Sequence, residues 1–138
     1  MSLCVLTQIG IWGDAPMIDY GIERQFVRSF ILKEKRERAI FELGNPKLRH
    51  SFIMKIGSKL DRNLFQKISR GNAQQTLKAA GAPDVCYFLS GFEENDGKEY
   101  SLEQGLDILD YEFEVMVCIP QKLAVFRETP TDFYILKK

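Results

Sequence analysis

The sequence predicts an α+β fold: N-terminal helices packed on one face of a mostly antiparallel sheet of four or five strands. Two observations carry that expectation. From Glu23 to a stop at Gly81-Ala82-Pro83, apolar residues recur at helical spacing, and from Val85 onward the period shortens to that of strands. A chain of 138 residues, 45% hydrophobic and 28% charged, can bury about two thirds of its unfolded surface without a metal or disulfide. Residues 1–138 are therefore expected to form a single domain. A change of charge sign near residues 71–84 suggests two lobes within it: 1–70, a strand plus basic helices, and 84–138, an acidic βαβββ half.

Taken in order, residues 4–12 alternate, with Val5, Thr7, Ile9 and Ile11 on one side, and read as a strand that ends at Gly13, Asp14 and Pro16. Phe26, Val27, Phe30 and Ile31 form the apolar face of a first helix, and Ala39, Ile40 and Leu43 that of a second, closed by Gly44. Asn45-Pro46 supplies an N-cap and an N1 proline for a helix running to Gly57 and burying Leu48, Phe52 and Ile56. Leu60, Leu64, Phe65 and Ile68 repeat helical spacing, and Asn72 opens a shorter helix.

The second half begins with Val85 to Leu89, apolar enough for a strand covered on both faces. Ser101-Leu102-Glu103-Gln104 is a capping box, followed by Leu102, Leu106 and Leu109 on one helical face. Phe113, Val115, Val117 and Ile119 alternate with Glu112, Glu114, Met116 and Cys118, as expected of a strand wet on one side. Leu123 to Phe126 and Phe133 to Leu136 flank the turn residues Thr129-Pro130-Thr131-Asp132 and read as a hairpin.

The formal net charge is zero, but it conceals a split. Residues 23–70 carry thirteen Lys and Arg against five Asp and Glu, whereas residues 84–138 carry five against twelve. Such asymmetry fits an anionic partner, or two halves that complement each other within one fold. On a continuous helix the run Lys33-Glu34-Lys35-Arg36-Glu37-Arg38 would pair Glu34 with Arg38, Arg38 with Glu42 and Lys33 with Glu37, the pattern of a solvated face. Two candidate docking surfaces follow: a basic one of Arg28, Lys35, Arg36, Arg38, Lys47 and Arg49, and an acidic loop of Glu93, Glu94, Asp96 and Glu99.

Several chemistries are disfavoured. His50 is the sole histidine, so neither a two-histidine metal site nor a paired Cys-His or Ser-His nucleophile is indicated. Cys4, Cys86 and Cys118 have neither disulfide-framework nor CxxC spacing and are expected as reduced thiols, the latter two packed within strands. Residues 92–103 place Gly97 and Glu103 where an EF-hand loop has them, but Phe92 stands at the first ligand position, so Asp96-Gly97 reads as a tight turn. Pro83-Asp84 before an apolar strand is similar to the start of a metal-dependent nuclease core, yet no lysine follows Glu112 or Glu114 at the required spacing and the resemblance ends there. There is no glycine-rich phosphate loop. No metal and no cofactor are expected.

Without a long apolar run or a signal-peptide pattern, the protein is expected to be cytoplasmic, with no membrane partner. The expected function is a non-catalytic binding module that engages a protein partner through charged surfaces, as an immunity or antitoxin protein does, or associates with itself. Sequence-nonspecific nucleic-acid binding through residues 23–70 is the first alternative. A carboxylate- or metal-dependent enzyme is the second, and would need two of Asp84, Glu93, Glu94, Asp96, Glu112 and Glu114 in one cleft.

Overall fold

The structure, a computed structural model, describes residues 18–138; the strand expected over residues 4–12, Trp12 and Cys4 lie outside them. Helix α1 (Tyr20–Phe30) begins where the Asp19 carboxylate accepts from the Ile22 N–H at 3.0 Å, a standard N-cap. A 3-10 turn, Lys33–Lys35, leads into α2 (Arg36–Leu43). Asn45 caps α3 (Pro46–Met54) by accepting from Lys47 N–H at 2.9 Å, with Pro46 at the first helical position. This helix ends before Gly57 because the chain tightens into a further 3-10 turn, Ile56–Ser58.

The fourth expected helix is a strand. Asp61 caps a 3-10 turn, Arg62–Leu64, and β1 (Phe65–Ile68) follows. Its apolar residues matched a helical period by coincidence: Leu60 is buried beside α1 through a bridge to Ile31, while Phe65 and Ile68 point to opposite faces of the sheet. Helix α4 (Arg70–Ala79), capped by Ser69, begins two residues ahead of the expected start at Asn72. The remaining elements are β2 (Val85–Ser90), β3 (Glu99–Ser101), α5 (Leu102–Ile108), β4 (Glu114–Ile119), β5 (Leu123–Arg127) and β6 (Phe133–Lys137). The capping box is real in its first half: Ser101 Oγ accepts from Gln104 N–H at 3.1 Å.

The fold is α+β, with a six-stranded antiparallel sheet ordered β1-β6-β5-β4-β2-β3. The expected hairpin is β5–β6. Two strands exceed expectation, β1 and β3, and both are edge strands of four residues or fewer, too short for a period of two to register. Strand β1 precedes the charge boundary and pairs with β6 from beyond it, so one sheet takes strands from both sides of that boundary.

Both faces of the sheet are covered. Helices α1–α3 pack on Tyr87, Leu89, Val115, Val117, Ala124, Phe126 and Leu136, as the single-face expectation requires. On the other face, α4 and α5 cover Cys86, Phe88, Met116, Cys118, Val125, Phe133 and Ile135. This corrects the expectation of a wet face on β4, where Glu114, Met116 and Cys118 are all buried. Gly105 permits the close seating of α5: a Cβ there would stand 2.6 Å from Met116 Sδ and 3.2 Å from Phe88 Cε1. Among the described residues, no helix is long and apolar enough to cross a membrane.

Candidate functional site: a loop held by two buried carboxylates

Residues 91–98 connect β2 to β3 and carry the expected acidic loop. The loop turns on itself through Asp96 N–H to Phe92 O at 3.1 Å and Gly97 N–H to Phe88 O at 2.9 Å, with Gly97 at φ 77°. That left-handed conformation suits glycine, and the tight-turn reading of Asp96-Gly97 is the one observed. Glu93 and Glu94 are exposed at the tip and Glu99 is exposed on β3. Asn95 and Asp96 face inward, each to a different anchor.

The first anchor is Arg49 of α3. Its Nε and Nη2 donate to the two Asp96 oxygens at 2.7 and 2.9 Å, and its Nη1 and Nη2 donate to the two Glu23 oxygens at 2.6 Å each. Nη1 also donates to the Leu43 carbonyl at 3.1 Å, so all five guanidinium N–H groups are used. Tyr87 of β2 donates its hydroxyl to Glu23 Oε2 at 2.5 Å and accepts from Asp19 N–H at 3.1 Å. Glu23 is 2% and Arg49 8% exposed. Burial disfavours the charged guanidinium, but hydrogen bonds and charge from Asp96 and Glu23 outweigh it and raise the Arg49 pKa.

Arg49 and Asp96 were expected on separate docking surfaces, one basic and one acidic. They bind each other and neither is a free surface charge. This is the second meaning of the charge split, since Arg62–Glu128, Lys67–Asp132 and Arg70–Asp107 join the same two segments. Of the other basic candidates, Arg28 and Lys47 are exposed. Arg38 is exposed and pairs with Glu42 at 3.1 Å, Arg36 Nε donates to Ile31 O at 2.9 Å, and Lys35 Nζ reaches Ser58 O at 3.5 Å. The pairs Glu34–Arg38 and Lys33–Glu37 are not formed, because the 3-10 turn puts Lys33 and Glu34 out of phase with α2.

The second anchor is Glu114, the first residue of β4 and fully buried. Its Oε2 accepts from Ser90 Oγ at 2.5 Å and Asn95 Nδ2 at 2.9 Å, and its Oε1 accepts from Asp110 N–H at 2.7 Å. Tyr100 orients the amide by donating its hydroxyl to Asn95 Oδ1 at 2.8 Å. Ser90 joins the anchors, since its N–H donates to Asp96 at 3.2 Å while its hydroxyl donates to Glu114. None of these donors to Glu114 is a cation.

Tyr87 supplies an alkaline test of the first anchor. Burial and the adjacent Glu23 carboxylate raise its pKa well above the ordinary 10.0. The neutral phenol is thus favoured in the folded protein: its contribution is full below pH 10 and is lost as pH rises from there toward the folded value. In a spectrophotometric alkaline titration, one of the five tyrosines should ionise only as the fold opens, and Tyr87→Phe should remove that step. A Tyr87→Phe protein with an unchanged titration would refute the buried donor.

The carboxylates required by an enzymatic reading are dispersed. Asp84, Glu93 and Glu94 are exposed, and Asp96 and Glu114 are occupied as above. Glu112, at φ 71°, lines a cleft of about 340 Å³ with Lys55, Ser58, Arg62, Phe126 and Glu128. Its fellow carboxylate there, Glu128, is bound to Arg62, which holds it below its usual pKa. Among the described residues no group of three or more His, Cys, Asp and Glu is placed to hold a metal ion, and His50 is exposed.

Sequence reasoning missed Glu23, Tyr87, Ser90, Asn95 and Tyr100. A usable signal existed for Glu23 alone: it lies three and four residues before Phe26 and Val27, within the apolar stripe of α1. Comparison of the chain with protein-family models, with curated proteins and with solved structures finds no match.

Proposed function

We propose that the protein is a non-catalytic binding module that engages a protein partner carrying a basic surface, through Glu93 and Glu94 on the loop of residues 91–98 together with Glu99. One observation carries this reading. The inward residues Asn95 and Asp96 are fixed by Glu114 and Arg49, while Glu93 and Glu94 remain exposed. A loop ordered in advance loses little conformational entropy on docking, and acidic side chains on it would steer a basic partner by long-range attraction.

Nucleic-acid binding through residues 23–70 has less support. Arg38, Arg49, Arg62, Lys67 and Arg70 are paired with carboxylates, and Lys59 lies 5.3 Å from the Phe52 ring centre. The phosphate-contacting charge that drives such binding is reduced accordingly.

The test is capture of partners from cell extract at low salt, identification by mass spectrometry, and on-rates measured with each purified partner. Glu93→Lys/Glu94→Lys is expected to slow association at least about tenfold at low salt, with Arg28→Glu/Lys47→Glu near wild type. Equal on-rates for both variants would overturn the acidic loop as the contact. Labelled single- and double-stranded RNA and DNA serve as the competing probe: salt-sensitive binding lost in Arg28→Glu/Lys47→Glu would put nucleic acid first.

A further inference from the structure

Strands β2 and β4 pair Tyr87 with Val117 and Phe88 with Met116. Continued by one residue, the same register sets Cys118 opposite Cys86, close enough for each thiol to perturb the other. The ladder phase follows from the bonds at its other end. Gly91 N–H donates to Phe113 O at 2.8 Å, so the pair of residues 91 and 113 is a hydrogen-bonded one, and alternation makes that of residues 86 and 118 non-hydrogen-bonded. Phe88 agrees, since its N–H donates away from β4, to Lys98 O at 2.9 Å. At non-hydrogen-bonded positions the Cα atoms lie about 4.5 Å apart with side chains close, inside the range a disulfide spans.

Cys118 also occupies a bulge. Against β5, Val117 pairs with Ala124 and Ile119 with Leu123, which leaves Cys118 as the extra residue. A bulged residue is free of one ladder, so the backbone can adjust toward Cys86 without breaking strand pairing on that side. Both thiols are buried, Cys86 at 1% and Cys118 at 5% exposed.

We propose that Cys86 and Cys118 are an oxidisable pair that closes to a cross-strand disulfide on exposure to hydrogen peroxide, an oxidant small enough to reach thiols buried beneath α4 and α5. The Cys86 sulfur attacks one peroxide oxygen, forming an S–O bond as the O–O bond breaks; the departing hydroxide takes the thiol proton and leaves as water. The Cys118 sulfur then attacks the Cys86 sulfur, an S–S bond replaces the S–O bond, and hydroxide leaves with the Cys118 proton as a second water. Two thiols lose two electrons in total and one peroxide gains them. Cys118 takes the second step because it sits on the bulge, where its backbone can move toward Cys86.

The experiment uses the full chain with Cys4→Ser, treated with a small excess of hydrogen peroxide, and reads intact mass, denatured-state thiol alkylation and peptide mapping. The expected result is a loss of about 2 Da, no alkylatable thiol, and one linked peptide pair holding Cys86 and Cys118, all reversed by dithiothreitol. A melting temperature higher in the oxidised form accompanies it. In Cys86→Ser, checked for folding by circular dichroism, Cys118 should stay alkylatable. Two free thiols after treatment, or oxygen added to either sulfur without a link, would overturn the proposal.

Discussion

Arg49→Met is expected to lower the unfolding free energy by about 3–5 kcal/mol, the usual result of deleting one partner of a buried ion network. The deletion leaves Glu23 with only the Tyr87 hydroxyl and Asp96 with only the Ser90 N–H as donors. For a chain of this length, total stability is on the order of 7–20 kcal/mol, so the melting temperature should fall by roughly 10–15 °C. Arg38→Met is the control: its partner Glu42 lies four residues on along the same helix and Arg38 is exposed, so the loss should stay near or below about 0.5 kcal/mol.

Stability alone would not separate the ion network from the lost volume of the side chain. A triple variant does so. Arg49→Met with Glu23→Gln and Asp96→Asn removes the charges together while leaving acceptors for the Tyr87 hydroxyl and the Ser90 N–H, and should recover more than half of the loss. Amide exchange supplies the local readout. In Arg49→Met the amides of residues 91–98 should exchange faster than in wild type, because Asp96 no longer ties the loop to α3. A deficit under about 1 kcal/mol, with loop exchange unchanged, would show that Arg49 does not hold the loop.

Most of the architecture was legible where periodicity and capping agreed. The Asn45-Pro46 start, the Ser101 cap, the fully covered β2 and the β5–β6 hairpin each depend on residues within a few positions of one another. What was not legible depends on residues distant in sequence. Strand β1 exists through its pairing with β6, some 70 residues later, and no local pattern distinguishes Leu60, Leu64, Phe65 and Ile68 on a helix from the same spacing on a turn and a strand. Whether Glu114 faced water depended on α5 crossing that side of the sheet. The candidate site shows the same limit. The tight turn of the acidic loop could be read from Asp96-Gly97, but the partner of Asp96 lies 47 positions away, and a charged residue carries no mark of whether its counterion is a second molecule or the same chain. The zero net charge hides a basic and an acidic segment, and four ion pairs join them.

Glu114 is the second residue whose loss should be felt throughout the loop. It accepts three hydrogen bonds, one from the buried Ser90 and two from the part-buried Asn95 and Asp110. Glu114→Ala is expected to destabilise by about 3–5 kcal/mol, combining orphaned donors with a cavity the size of the missing side chain. Glu114→Gln tests the polar part alone because its shape is retained. An amide offers one acceptor oxygen and one NH₂ group. With the oxygen toward Ser90 and Asn95, the NH₂ meets the Asp110 N–H; with the oxygen toward Asp110, it meets the Asn95 NH₂. Either orientation sets donor against donor, so about 2–3 kcal/mol should be lost. The position of the conflict can be seen by amide exchange: the first orientation exposes Asp110, whereas the second frees Asn95 and loosens residues 91–98. If Glu114→Gln matched wild type within about 0.5 kcal/mol, the carboxylate would not be accepting on both oxygens. Loss of the Asn95 contact would leave the loop held by Arg49 alone, whereas loss of the Asp110 contact would leave both anchors in place.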